Sequence, residues 1–195
     1  MHVRLAQPED ASLIAGLLSA AASKLREDGI ELWSAEEVGE VAVMPHIREK
    51  LYHVGFIGEE AVGVFRFQFQ DVAFWPEVAD GTSAYLHKLA VLPERQGQGI
   101  AYALLHSAVG LTRAKGLRFL RLDCMSGRPK LRAVYESFGF KHHSQKMLWG
   151  QLFDRFEFDV GAPDAELVNR HGRPRACAPA ALLFLGRRSF SPLRL

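Results

Sequence analysis

The run Leu89-Ala90-Val91-Leu92-Pro93-Glu94-Arg95-Gln96-Gly97-Gln98-Gly99-Ile100-Ala101-Tyr102-Ala103-Leu104-Leu105 decides the reading of this chain. Leu89 to Leu92 is an apolar strand, and Pro93 stops it. Gln96 to Gly99 is a glycine-rich turn, and an apolar helix begins near Ile100. A helix start leaves several backbone N–H groups without partners. With the helix dipole they favour an anion, most often a phosphate. Glycine lets that anion approach the backbone. The run therefore predicts a ligand carrying phosphate or pyrophosphate.

Two common phosphate sites are excluded. A P-loop needs Gly-x4-Gly-Lys-Ser/Thr, which does not occur. The dinucleotide fingerprint needs a third small residue where Tyr102 stands. What remains is Gln96-x-x-Gly99-x-Ala101, which resembles the acyl-CoA loop of the GCN5-related N-acetyltransferase (GNAT) family, Gln/Arg-x-x-Gly-x-Gly/Ala.

The chain of 195 residues fits one domain, and an apolar content of 48% suffices for a core. The net charge of +2 gives no overall nucleic-acid signature. Residues 161–195 carry six arginines against Asp164 and Glu166, a net of +4, which leaves the first 160 residues at −2. Those last residues also hold four of the nine prolines and lack helical or strand periodicity, so they read as a poorly ordered tail after a domain of 1–160. Two cysteines, Cys124 and Cys177, make no disulfide framework and point to a reducing compartment. There is neither a signal-peptide core nor an apolar stretch long enough to cross a bilayer, so the expected location is the cytoplasm.

Pattern and punctuation predict the order β-α-α-β-β-β-α-β-α-β-β. A strand at 3–6 precedes a helix opened by Pro8 and ended by Asp28-Gly29. A second helical region at 34–50 is expected to break near Pro45. Strands follow at 51–57, 61–69 and 84–92, with a loop over 71–81. After the helix at 99–115 come a strand from Phe119 to Cys124, a helix at 129–138 and a hairpin over 140–160. This is an α/β fold, a central mixed sheet flanked by helices, with a parallel βαβ unit at the glycine turn. The free edge of the last hairpin is a surface on which a second subunit could pair.

The family resemblance extends over about residues 3–160. Arg118 to Asp123 followed by Arg132-Ala-Val-Tyr135-Glu-Ser-Phe-Gly139-Phe140 resembles its second signature, and Val-Arg-Leu-Ala-Gln-Pro-Glu-Asp-Ala resembles its usual start. The resemblance implies acetyl-CoA as cosubstrate, no metal, and direct acyl transfer to an amine in a ternary complex. It places the pantetheine arm and thioester on the strand Leu89-Ala90-Val91, with the N–H groups of Leu89 and Val91 binding. It places the pyrophosphate on the backbone of Gln96, Gly97, Gln98, Gly99, Ile100 and Ala101, with help from the side chains of Arg95 or Gln98. Tyr135 matches the family tyrosine that protonates the CoA sulfur. Where the family has Asn beside the CoA arm this chain has Arg128, which could meet a phosphate instead.

Leu86-His87-Lys88-Leu89-Ala90-Val91 resembles the His-x-His-x-Leu-Ala-Val of arylalkylamine N-acetyltransferases, with His87 at the second histidine. Imidazole accepts protons readily near neutrality, which makes His87 the base candidate ahead of Asp71 and Glu31. Strand alternation predicts Tyr85, His87 and Leu89 on one face and Lys88 on the other. Trp33, Phe74 and Trp75 are read either as walls of the acceptor pocket or as core. His142 and His143 are a poor metal pair on a strand, and Cys124 reads as a buried structural thiol. The acceptor, a small molecule or a peptide, is left open. The rival readings are a non-catalytic acyl-CoA sensor and an enzyme using a longer acyl-CoA.

Overall fold

The structure, a computed structural model, describes residues 1–161. The tail expected at 161–195 lies, from residue 162 on, outside the described residues. Seven strands form one sheet: β1 (His2–Leu5), β2 (Tyr52–Ile57), β3 (Glu60–Gln68), β4 (Ser83–Val91), β5 (Phe119–Met125), β6 (Lys141–Leu148) and β7 (Gln151–Asp159). Their spatial order is β1-β2-β3-β4-β5-β7-β6. Among the described strands only β4 and β5 pair in parallel. The helices are α1 (Ala11–Glu27), α2 (Ala35–Val38), α3 (Glu40–Arg48), α4 (Ile100–Ala114) and α5 (Pro129–Phe138). None of the described helices is long and apolar enough to cross a membrane.

Each face of the sheet buries its own core. Ile14, Leu17 and Leu18 of α1 and Val43 and Ile47 of α3 pack on Val54 and Val64. Ile100, Leu104 and Leu105 of α4 and Tyr135 and Phe138 of α5 pack on Val62, Phe65, Leu86 and Leu120 on the opposite face. The second helical region breaks at Gly39 rather than at Pro45. Ser34 accepts from the Glu37 N–H at 3.2 Å while Glu37 accepts from the Ser34 N–H at 2.8 Å, a reciprocal cap that confines α2 to one turn. Gly39 is extended, and α3 restarts from it with Pro45 inside.

Two irregularities shape the centre. Lys88 has a left-handed backbone, φ 51°. The pairing of β3 with β4 shifts between Val64 and Arg66, so that Val64 faces Ala90 but Arg66 faces His87. An extra residue on β4 is a bulge, and bulges re-aim side chains. Ala84 and Leu86 pack on the α4–α5 core, and past the bulge so do Leu89 and Val91, whereas Ala90 joins the α1–α3 core. Leu89 therefore does not share a face with His87, contrary to simple alternation. Lys88 turns toward Trp33 on the α1–α3 side, its Nζ 4.7 Å from the ring centre.

Close approach explains Gly63. A Cβ there would lie 2.8 Å from the Ala90 carbonyl oxygen and 2.8 Å from Leu104 Cδ1. Gly63→Ala is expected to lower stability by about 2 kcal/mol through overpacking. Gly16, exposed inside α1 with open space around it, has no such reason. Gly16→Ala is expected to raise stability by about 1 kcal/mol. Thermal melts of the two variants would shift in opposite directions; equal shifts would contradict this packing of α4 on the sheet.

Candidate active site

β4 and β5 part company. Their register runs from Ser83 opposite Phe119 to Leu86 opposite Leu122 and stops there. The Leu92 N–H donates to the Val62 carbonyl at 3.0 Å. Alternation along β4 then turns the N–H groups of Val91 and Leu89 away from β3, into the space that β5 has vacated. At the end of this fork, after a single turn of 3₁₀ helix at Pro93–Arg95, comes the glycine turn. Gly97 and Gly99 have φ 76° and 79°, and a Cβ at either would meet nothing within 4 Å. Gly99 caps α4, whose first N–H groups at Ile100 and Ala101 have no intrahelical acceptor. The Gln96 N–H is turned back onto the Pro93 carbonyl at 3.2 Å. Of the side chains considered for phosphate, Arg95 is paired with Glu60 and Gln98 donates to the Glu94 carbonyl at 3.3 Å. Arg128 stands at the N-cap of α5, near enough for its charge to act on Cys124 and Tyr135.

His87 lies beside the fork with a carboxylate at each edge of its ring. Nε2 is 3.1 Å from Asp71 Oδ2 and Nδ1 is 3.4 Å from Asp123 Oδ1. All three side chains are largely buried. The contacts are close but oblique: His87 Nε2, Asp71 Oδ2 and Asp123 Oδ1 have no well-aligned hydrogen bond among the described residues. Such misalignment is common before substrate binds. Asp71 is fixed by its other oxygen, which accepts from the Phe74 N–H at 3.0 Å. One ligand atom from each member of the trio falls within 4.8 Å of the others, close enough for a cation. With a carboxylate against each ring nitrogen, the arrangement also fixes the orientation of the imidazole.

Burial pushes the Asp123 carboxyl up to about 6; the His87 and Arg66 charges oppose the rise and the Asp71 charge adds to it. Burial pushes the Lys88 ammonium down to about 8, with Glu37 opposing and Arg66 adding. Tyr135 is on the other face, against Phe140 and Phe156, and burial first, then Cys124 and Asp123, drives its phenol well above its usual range. It remains a proton donor at any ordinary pH. Cys124 is pushed up to about 12, chiefly by burial, as suits a structural thiol.

Of the base candidates, the structure brings Asp71 to His87 and leaves Glu31 exposed in the α1–α2 connection. Asp123 had no functional reading in the sequence. Its signal was alternation: Leu122 and Cys124 face the α4–α5 core, so Asp123 must face His87's side. Trp75 is core, and Phe74 lies 6.2 Å from the His87 ring and 5.7 Å from that of Trp149. His142 lies 3.4 Å from Asp154, and His143 contacts Ser144 and Trp75. An open hollow lined by His46, Gln68, Gln70 and Asp80 adjoins this region through His46 but contains none of the trio.

Residues 17–140 match the family model "Acetyltransferase (GNAT) family". The N-acetyltransferase YesJ of Bacillus subtilis, itself uncharacterized, is 28% identical over 154 residues, covering 75% of this chain and 85% of its own. A GNAT-family acetyltransferase structure from Listeria monocytogenes superposes with a TM-score of 0.68 at 23% identity, over 81% of this chain and 94% of that one. The yncA acetyltransferase of Salmonella typhimurium, solved with its cofactor acetyl-CoA, gives 0.64 at 17% identity, over 85% and 98%.

Asp123 makes a pH prediction. Its folded-state value lies above the usual carboxylate range, so the fold holds its proton more tightly than the unfolded chain does. The associated stability is fully present below about pH 4 and is lost as pH rises to about 6. Asp123→Asn is expected to remove that decline, leaving the variant more stable at pH 7 by on the order of 2 kcal/mol. Melting curves from pH 4 to 7 test it; parallel pH profiles for the two proteins would refute it.

Proposed function

The chain belongs to the acetyltransferase (GNAT) family, and we propose that it transfers an acetyl group from acetyl-CoA directly to a primary amine. The observation that carries this reading is the fork, with free N–H groups on β4 leading to an open, positive-φ glycine turn at the start of α4. The residues present fit acetyl-CoA. The amides of Gly97, Gly99, Ile100 and Ala101 would hold the pyrophosphate. The pantetheine arm would lie along Leu89-Ala90-Val91, and Arg128 would meet a phosphate. Bound there, acetyl-CoA supplies an activated thioester, and alignment with the amine accounts for much of the rate.

His87 would take the proton that the attacking amine loses, with Asp71 and Asp123 balancing the imidazolium. The N–H groups of Leu89 and Val91 would receive the oxyanion as the C–N bond forms. Tyr135 would give its proton to the sulfur as the C–S bond breaks.

Thiol release from acetyl-CoA across an amine panel, coupled to thermal stability with acetyl-CoA, tests the whole reading. Stabilisation together with turnover supports it. Stabilisation without turnover would favour a sensor, and no stabilisation would remove the case for the 96–101 turn. His87→Ala and Tyr135→Phe are each expected to lower kcat by on the order of 10²-fold. Tyr135→Phe should leave KM for acetyl-CoA nearly unchanged, because a group acting only in the transition state does not alter ground-state binding.

A further inference from the structure

Arg66 and Lys88 are two cations that no carboxylate contacts among the described residues, although Asp123 and Glu37 act on them at longer range. Arg66 faces His87 directly across β3 and β4, so both side chains leave the sheet on the same side. Arg66 Nη1 donates to His46 Nε2 at 3.0 Å. That nitrogen therefore carries no proton, and His46 Nδ1–H is free to donate to the Ala42 carbonyl at 3.1 Å. His46 thus accepts a hydrogen bond without neutralising the guanidinium. Arg66 Nε is buried with no hydrogen-bond partner. Lys88 lies over Trp33, in a strained left-handed backbone that the bulge imposes. Neither cation is in ion-pair contact with an Asp or Glu among the described residues. Glu37 acts on Lys88 only at longer range, and its carboxylate already caps Ser34.

Desolvated like charges held side by side are unfavourable unless an opposite charge completes them. Strained backbone and unpaired polar groups cluster where a ligand is bound. One cross-strand step away, His87 carries the opposite arrangement, Asp71 and Asp123 at its two edges. Cβ atoms of directly opposed residues lie roughly 5 Å apart. The site therefore sets proton-accepting groups and anion-binding groups beside one another on one face of the sheet.

We propose that the acceptor is an amine bearing a nearby carboxylate, of the free amino-acid type. Its carboxylate docks on Arg66 and Lys88 while its amine faces His87. Trp33 and Phe74 flank this position and suit an apolar side chain. The inference rests on the acetyl transfer proposed above and names its substrate class.

Matched pairs test it: phenylalanine against phenethylamine, and leucine against its decarboxylated amine, each with acetyl-CoA. The amino acids are expected to exceed their partners in kcat/KM by roughly 10²-fold, the scale of a desolvated charge pair. Arg66→Gln should bring that ratio close to one, Arg66→Lys should keep part of it, and Lys88→Met should lower it; melting curves verify that each variant folds. Equal rates within the pairs, or a preference that survives Arg66→Gln, would overturn the substrate class and leave acetyl transfer standing. If no amine is turned over, thermal shifts with N-acetylphenylalanine and N-acetylphenethylamine decide. Equal shifts would overturn the docking of a carboxylate independently of catalysis, and selective stabilisation by the former would support it.

Discussion

Everything distinctive about this domain depends on the separation of β4 from β5 after Leu86 and Leu122. A parallel pair at the centre of a sheet would ordinarily continue to both strand ends. Here it is abandoned while β5 still has three residues to run. Each N–H left facing the gap costs about 1–3 kcal/mol if nothing accepts it. The sheet survives because both strands are held elsewhere: β4 by β3, and β5 by β7 along its full length. Leu104 and Leu105 of α4 then fill the core beneath the opening. The bulge at Lys88 completes the design, because it sends Leu89 and Val91 to one face while His87 and Lys88 project from the other.

The Asp71 carboxylate is positioned by a separate device. Two guanidinium groups lie against the indole of Trp75, Arg155 at 4.6 Å and Arg121 at 5.1 Å from its centre. Arg155 also donates to the Phe74 carbonyl at 2.7 Å and to Glu77 at 2.6 Å, and Arg121 is held by Ser83 and Glu157. The loop that carries Asp71 is thereby tied to β5 and β7. This shows why charges lie beneath the surface on the Asp123 side of the sheet. Arg121 and Arg155 are both buried there, and each has a partner.

Most of the fold was legible because its signals are local. The glycine turn, the apolar stripe of α1 and the Gly139 stop after α5 all act within a few residues. The break falls at Gly39 and not at Pro45 because a reciprocal cap between Ser34 and Glu37 decides it, and α3 carries Pro45 inside it despite the hydrogen bond that proline cannot make. The bulge was invisible because Lys88 is no residue for a left-handed backbone; only the competing demands of two cores put it there. Asp123 and Arg66 were missed for a related reason. Their meaning arises from cross-strand neighbours, and pairing partners are a property of topology rather than of any short stretch.

The place of β7 has a consequence for the order in which the domain can be completed. β5, which carries Asp123, lies between β4 and β7, while β7 comes last of the described strands along the chain. As the polypeptide emerges from the ribosome, β5 has an open edge until Gln151–Asp159 has been made and inserted between it and β6. An unpaired central strand rich in Leu and Phe is a template for mispairing. The vulnerable interval in biosynthesis thus falls late, when most of the domain already exists but the strand bearing Asp123 still lacks its neighbour.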